Sequence, residues 1–106
     1  MLMENLAAIP IFKNEDKKRF ELKVDKHLAF IDYKETPNQV ALTHTEVPEE
    51  LSGKGVASMM ARKVFDEIAP TNKKIIPICP FIITFVKRNN EFKPQIDERF
   101  AGYKSL

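Results

Sequence analysis

The segment from residue 41 to residue 57, ALTHTEVPEELSGKGVA, constrains the fold of this chain more than any other. An extended stretch leads here into residues 52–57, the glycine turn, which opens an apolar helix. Gly53 and Gly55 lack a Cβ, so the backbone can turn sharply and approach a ligand, and the first amides of a helix have no partner within it. The segment therefore predicts an anion-binding corner, for which phosphate is the natural ligand.

The size of the chain limits where a functional site can lie. Its 106 residues suffice for one core but not for two lobes with a cleft between them, which predicts a single domain over 1–106. The 17 basic and 15 acidic residues leave a formal charge of +2, which gives no support for a nucleic-acid-binding surface. Any active site is expected to be formed by residues around this single core.

Three absences from the sequence bear on the cellular setting. No apolar run reaches the roughly 18 residues of a membrane span, and the first residues lack the features of a secretory signal. Cys79 is the only cysteine, which excludes an internal disulfide and fits a reducing compartment. His27 and His44 are the only histidines, and neither has a second ligand at a typical metal-site spacing. We expect a cytoplasmic protein without a metal or a membrane partner.

Hydrophobic alternation predicts three strands before the glycine turn. Residues 19–24 alternate apolar and charged side chains, and 27–35 also have an extended pattern. A break at 36–38, which contains a proline, precedes a third strand that begins near Gln39. Short connections between successive strands are typical of an antiparallel meander.

The third strand is predicted to deliver polar side chains to a site. Val40, Leu42, His44 and Glu46 are spaced by two residues and are expected to share one face. The row of side chains that faces the core would then change from apolar to polar at the end of this strand.

The region after the glycine turn predicts a helix, a strand and a second helix. From 55 to 69 apolar residues recur every four positions, and Pro70 ends this amphipathic helix. Residues 75–79 form a nearly continuous apolar run, which suits a strand buried on both faces. Pro80 suits the first position of a shorter helix. Strand, helix and strand in this order imply a right-handed parallel crossover.

Four groups of residues can be compared with known families once these elements are in place. They are Arg19-Phe20, His44 to Pro48, Leu51 to Ala57, and Ile76 to Phe81. Together they resemble the GNAT superfamily of acetyl-coenzyme A dependent N-acetyltransferases, and its small single-domain branch most closely. The resemblance covers about 19–92 and leaves 1–18 and 93–106 as edge segments or tails. It implies an α/β (α+β) fold, a three-layer sandwich with a mixed, mainly antiparallel sheet, one main helix and a shorter second helix.

The resemblance also implies where acetyl-coenzyme A would bind. The superfamily motif, Arg or Gln, two residues, Gly, one residue, and Gly or Ala, holds the pyrophosphate with backbone amides. Here it maps onto Ser52, Gly53, Lys54, Gly55, Val56 and Ala57. Ser52 departs from the usual Arg or Gln, but this change of side chain leaves the backbone amides that would hold the pyrophosphate intact. Main-chain contacts to the pantetheine arm would come from Thr45, Glu46 and Val47, with the thioester between this strand and the one at 75–79.

Three residues are candidates for the chemistry. Cys79 directly precedes Pro80 at a predicted helix start, where the helix dipole favours a thiolate. It could accept an acetyl group or donate a proton to the departing coenzyme A thiolate; the alternative is a small buried hydrophobe. His44 and Glu46, about 7 Å apart along one strand face, could each help to take a proton from an amine. A hydrogen-bonded strand histidine has at least equal weight for His44, and Glu46 could instead face solvent or cap the turn.

The residues and the resemblance predict an enzyme that transfers an acetyl group from acetyl-coenzyme A to a primary amine. Transfer is expected by direct attack or through an acetyl-Cys79 intermediate. The expected partners are acetyl-coenzyme A and an amine acceptor, which is a small molecule or a protein or peptide. A non-catalytic module that binds coenzyme A or an acyl derivative is the main alternative, and the small size favours it slightly. An interaction domain with a decayed cofactor site is a third.

Overall fold

A five-stranded mixed sheet is the frame of the molecule, for which a computed structural model describes residues 6–106. The strands, in both chain order and sheet order, are β1 (Phe12–Asn14), β2 (Arg19–Val24), β3 (His27–Glu35), β4 (Gln39–Glu46) and β5 (Lys74–Pro77). The first four pair antiparallel, and β5 pairs parallel to β4. The mainly antiparallel sheet and the parallel crossover are therefore confirmed.

Two helices pack on this sheet, α1 (Val56–Ile68) and α2 (Pro80–Arg88). α1 starts after Gly55, whose left-handed φ of 75° turns the chain into the helix. Pro80 stands in the first turn of α2, as the sequence predicted. The α/β class with one main and one shorter helix is confirmed. Short 3-10 turns connect these elements at Leu6–Ala8, Glu49–Leu51, Ala69–Thr71, Asn90–Gln95 and Tyr103–Ser105.

The core lies between the helices and one face of the sheet. Both helices contribute to one buried cluster, in which Phe65 of α1 contacts Phe85 of α2 with ring centroids 5.6 Å apart. The sheet contributes Phe20, Leu22, Val24, Ala29, Ile31, Tyr33, Val40, Leu42 and Ile75. Each large apolar side chain buried in this way stabilises the fold by about 1.5–3 kcal/mol. The opposite face, the open face, has half-buried and exposed side chains.

A β-bulge in β4 changes which side chains share a face. Tyr33 pairs with Leu42, whereas the preceding residue Asp32 pairs with His44, so Thr43 is an extra residue on β4. The prediction that His44 and Glu46 continue the face of Leu42 is therefore wrong. They lie on the open face, because one inserted residue inverts the alternation of a strand.

β5 is shorter and less buried than its apolar sequence suggested. The prediction of a strand over 75–79 with two buried faces is wrong, because the strand ends at Pro77 and Ile78 is 53% exposed. β5 lies at the end of the sheet order, and an isolated parallel bridge joins Ile75 to Ile96 on its outer side. It is therefore an edge strand with one buried face, and the side chains on its other face are half-buried or exposed.

The two end segments differ in how they join the fold. The segment 1–18 contains β1, which lies at one edge of the sheet; residues 1–5 of that segment lie outside the described residues. The segment 93–106 is held by the bridge at Ile96 and by the Asp97 amide, which donates to the Ile75 carbonyl at 2.9 Å. Periodicity could not reveal this attachment because it depends on pairing with a strand about twenty residues earlier.

Asp97 anchors the C-terminal segment with its side chain as well. The buried carboxylate accepts hydrogen bonds from the Arg99 guanidinium at 2.9 Å, from the Arg99 amide at 2.9 Å and from the Gln39 side chain at 2.7 Å. These contacts, with the Arg99 side chain contributing most, hold the pKa of Asp97 well below its usual range. The ionised carboxylate therefore stabilises the folded state.

We expect Asp97→Asn to lower the free energy of unfolding at pH 7 and to have a smaller effect at pH 3. A carboxyl whose pKa is lower in the folded state contributes its full stability above the unfolded value, about 3.9, and loses it as the pH falls toward the folded value. Urea unfolding at both pH values measures the difference, with Asp66→Asn, at an exposed position of α1, as the control. An equal loss at pH 7 and pH 3 would argue against the anchoring role of the charge.

Candidate active site

A gap opens where β4 and β5 diverge. Their parallel ladder ends at the pair Leu42 and Pro77, and the Leu42 carbonyl then accepts hydrogen bonds from the amides of both Ile78, at 3.0 Å, and Cys79, at 2.9 Å. β4 continues to Glu46, whereas the other chain turns into α2. The β4–β5 gap, bounded by residues 43–46 and 78–79, leaves one side of β4 without a strand neighbour in the ladder. An extended ligand could pair with that side.

The glycine turn, which lies between the end of β4 and the start of α1, has a backbone geometry typical of anion-binding loops. Gly53 has φ of 76° and Gly55 has φ of 75°, while Lys54 between them does not have a positive φ. Successive amides in such an alternating backbone point to a common centre, and the first amides of α1 add to them. A Cβ built at Gly53 meets nothing within 4 Å, so the turn is open on this side. The first turn of α1 contains no acidic residue that would repel an anion.

Cys79 lies beside β4 at the inner end of the gap. It is the N-cap residue of α2, and its side chain is buried, with 6% of the residue exposed. The Cys79 Sγ lies 3.3 Å from the Oγ1 of Thr45. The structure thus brings together two residues that the sequence assigned to different roles, one catalytic and one to main-chain contact with the cofactor.

The other residues predicted to contact the cofactor occupy three environments. Ser52, Gly53, Gly55 and Glu46 are exposed, Lys54, Ala57 and Thr45 are half-buried, and Val56 is buried. Val47 is half-buried and packs against the core. Exposed backbone in the glycine turn, with buried anchors on either side at Leu51 and Val56, gives a fixed but accessible loop.

His44 and Glu46 form a pair on the open face. The His44 Nε2 lies 2.9 Å from the Glu46 Oε1, and both side chains are more than half exposed. Neighbouring positions on one strand face are about 7 Å apart at the backbone, and these long side chains close that distance. The pair therefore lies on the other face of the sheet from the Cys79 side chain, with β4 between them.

A row of contacts on the open face leads to this pair, and no pattern in the sequence predicted it. The Arg19 guanidinium lies 4.3 Å from the centroid of the Phe30 ring, and its Nε lies 2.6 Å from the Glu21 carboxylate. The Phe30 ring centroid lies 6.5 Å from that of His44. Because the row depends on the bulge at Thr43, alternation in the sequence could not place His44 next to Phe30.

A large cavity of about 540 Å³ lies away from all of these residues. It is lined by Lys18, Tyr33, Lys34, Glu35, Thr36, Pro37 and Lys73. Glu35 binds Lys73 and Lys13 at 2.5 and 3.0 Å, and these hydrogen bonds, that of Lys73 above all, lower the pKa of Glu35. The cations Lys13 and Lys73 are thus paired within the protein. The cavity lies at the start of β4 and β5, opposite the end at which the gap opens.

A comparison with protein families identifies the chain. The family model described as GCN5-related N-acetyl-transferase matches residues 19–95. The chain belongs to this family. The match to the GNAT family includes β2 to α2, and therefore the β4–β5 gap, the glycine turn and Cys79. A search of curated proteins finds no matching relative of this GNAT protein.

Two features are absent from the described part of this GNAT chain. Within residues 6–106, no group of three or more histidine, cysteine, aspartate or glutamate side chains is arranged to hold a metal ion. None of the helices described in the same range is long and apolar enough to cross a membrane. The family assignment supports acyltransferase-type activity in general.

Proposed function

We propose that this GNAT protein transfers an acetyl group from acetyl-coenzyme A to a primary amine. The observation that carries the proposal is the arrangement around the β4–β5 gap. An anion cradle follows the end of β4, an unpaired strand side leads from it, and a buried thiol lies at the inner end. This order corresponds to the pyrophosphate, the pantetheine arm and the thioester of acetyl-coenzyme A.

The residues of the chain fit this cosubstrate. The backbone amides of Ser52 to Ala57 would bind the pyrophosphate, since glycines at 53 and 55 have the positive φ that the cradle needs. The main chain of Thr45 to Val47 would pair with the pantetheine amides along the free side of β4. The half-buried Lys54 would add a positive charge near the phosphates.

The two faces of the sheet suit two different proton transfers. On the open face, Glu46 and His44 would take the proton of the attacking amine. In the gap, Cys79 would give a proton to the departing sulfur. The amine nitrogen bonds to the carbonyl carbon, the carbon–sulfur bond breaks, and the coenzyme A sulfur receives the Cys79 proton. The proton lost by the amine leaves through His44 and Glu46, and Cys79 is reprotonated from solvent.

Direct attack is favoured over an acetyl-Cys79 intermediate. The polar side-chain contact of Cys79 among the described residues is the Thr45 hydroxyl, which is not a base, so activation of the thiol as a nucleophile would depend on the helix N-terminus alone. Incubation with acetyl-coenzyme A alone tests this choice by intact-protein mass spectrometry. We expect no added acetyl group on Cys79; an acetylated Cys79 that an amine then discharges would establish the covalent route instead.

A non-catalytic module that binds coenzyme A is the second candidate. The exposure of the His44 and Glu46 side chains, 57% and 54%, favours it, because a base open to water gains little from its environment. The same exposure would suit a protein or peptide amine held on an open surface. The cytoplasm is the location that we propose for either function.

Calorimetric titration and a turnover assay separate these functions. Acetyl-coenzyme A is titrated first, and release of free coenzyme A is then followed with small primary amines, lysine peptides and peptides with a free N-terminus. Binding with amine-dependent release supports the transferase. Binding without release from any amine would favour the binding module, and absence of binding would refute both.

A further inference from the structure

The Thr45 side chain provides a hydrogen-bond partner for the Cys79 thiol. Its Oγ1 lies 3.3 Å from the Sγ, and either atom can be the donor. Because only 6% of Cys79 is exposed, its sulfur has little access to water, and a negative charge on it needs a donor from the protein. A hydroxyl can give that hydrogen bond, whereas the hydrocarbon side chains of the surrounding core cannot.

The bulge at Thr43 is what turns Thr45 toward Cys79. Thr45 pairs with Ile31 of the buried face, as Leu42 pairs with Tyr33. In a strand with strict alternation, positions 42 and 45 would lie on opposite faces. The Thr43 hydroxyl donates to the Asp32 carbonyl at 3.3 Å and so ties the extra residue to β3. The bulge thus sends Thr45 into the gap and His44 to the open face.

The backbone of Cys79 is held independently of its side chain. Its amide donates to the Leu42 carbonyl at 2.9 Å, and its carbonyl accepts from the amides of Ile82 and Ile83 at 3.0 and 3.2 Å. The side-chain torsion is then the remaining freedom of this residue, and it decides where the sulfur lies. The contact with Thr45 selects the torsion that keeps the sulfur next to β4.

We infer that Thr45 is a positioning residue for Cys79, which holds the sulfur in the β4–β5 gap and donates a hydrogen bond to it when it is a thiolate. The inference rests on the proposed role of Cys79 as a proton donor. In that step the Cys79 S–H bond breaks, a new S–H bond forms on coenzyme A, and Cys79 becomes a thiolate. The Thr45 hydroxyl keeps its own proton and stabilises this charge through the hydrogen bond.

Alkylation of the single cysteine by iodoacetamide tests the inference. Thr45→Val keeps the shape of the side chain and removes the hydroxyl, while Thr45→Ser keeps the hydroxyl. We expect the alkylation rate constant to fall about tenfold in Thr45→Val, since a hydrogen bond to a charged group contributes at least that much, and to stay within about twofold in Thr45→Ser. Intact mass reports labelling at Cys79 alone, and Cys79→Ser is the unlabelled control.

Two outcomes would overturn the role of Thr45. One is equal alkylation rates in the wild type and Thr45→Val, including an equal absence of labelling. The other is a Thr45→Ser variant as slow as Thr45→Val, which would assign the effect to packing of the methyl group. Thermal unfolding of each variant shows that the fold is kept. Because alkylation requires neither acetyl-coenzyme A nor an amine, a failure of the proposed function is recognised separately, by the titration and turnover assays.

Discussion

Gly55→Glu is expected to weaken the binding of acetyl-coenzyme A by about 100-fold or more, which corresponds to about 2.7 kcal/mol. Gly55 has φ of 75°, a conformation that costs other residues about 1–2 kcal/mol, so the turn that aims the amides would be distorted. The new carboxylate would also lie at the N-terminus of α1, where the pyrophosphate is proposed to bind. Its negative charge would repel that ligand, and calorimetric titration measures the loss.

Two further variants separate the causes of this loss. Gly55→Ala tests the backbone alone, because alanine adds a Cβ without a charge. Ala101→Glu adds the same charge at an exposed position of the C-terminal segment and is expected to bind like the wild type. Thermal unfolding must show that Gly55→Glu remains folded at the temperature of the titration. A folded Gly55→Glu protein with wild-type affinity would refute the placement of the pyrophosphate.

Cys79→Ser is expected to lower kcat for acetyl transfer about 100-fold, within the range usual for the loss of a general acid. A serine hydroxyl is a far weaker acid than a thiol, so it cannot protonate the departing thiolate efficiently. Serine is close to cysteine in size, so the buried site is conserved and the KM for acetyl-coenzyme A should change little. Steady-state kinetics with a saturating amine measure both constants.

The separate changes in kcat and KM show whether Cys79 acts in the chemical step or in substrate binding. A lower kcat with an unchanged KM shows that an interaction made in the transition state was removed, whereas a higher KM with an unchanged kcat shows weaker substrate binding. Wild-type kcat in a folded Cys79→Ser protein would remove Cys79 from the chemistry and leave it as a buried core residue. Thermal unfolding of the variant is the control for the fold.

Much of the fold could be predicted because local patterns and global contacts agree. The bounds 19–24 and 27–35 are those of β2 and β3, since the first segment alternates cleanly and each segment ends at a turn. The helix expected over 55–69 differs by one residue at each end, because Gly55 caps the helix and Ala69 begins a 3-10 turn. Glycine and proline mark such ends whatever the tertiary contacts are.

The geometry of the site could not be predicted in the same way. A β-bulge has no fixed sequence signature, and the single extra residue Thr43 moves His44 to the open face and Thr45 to Cys79. The anchoring of 93–106 has the same cause, because Asp97 is bound by Gln39, which is 58 residues away in the chain. Contacts between residues so far apart in the chain produce no periodic pattern in the sequence.

A titration of the ¹⁵N-labelled chain with acetyl-coenzyme A, followed by amide chemical shifts, tests the central claim most directly. We predict the largest shifts at the amides of Gly53 to Ala57, with further shifts at Thr45 to Val47 and at Cys79. These three groups surround the β4–β5 gap. Saturation without shifts there, or with shifts concentrated around the cavity of Lys18, Lys34 and Lys73, would contradict the assignment of this gap as the acetyl-coenzyme A site.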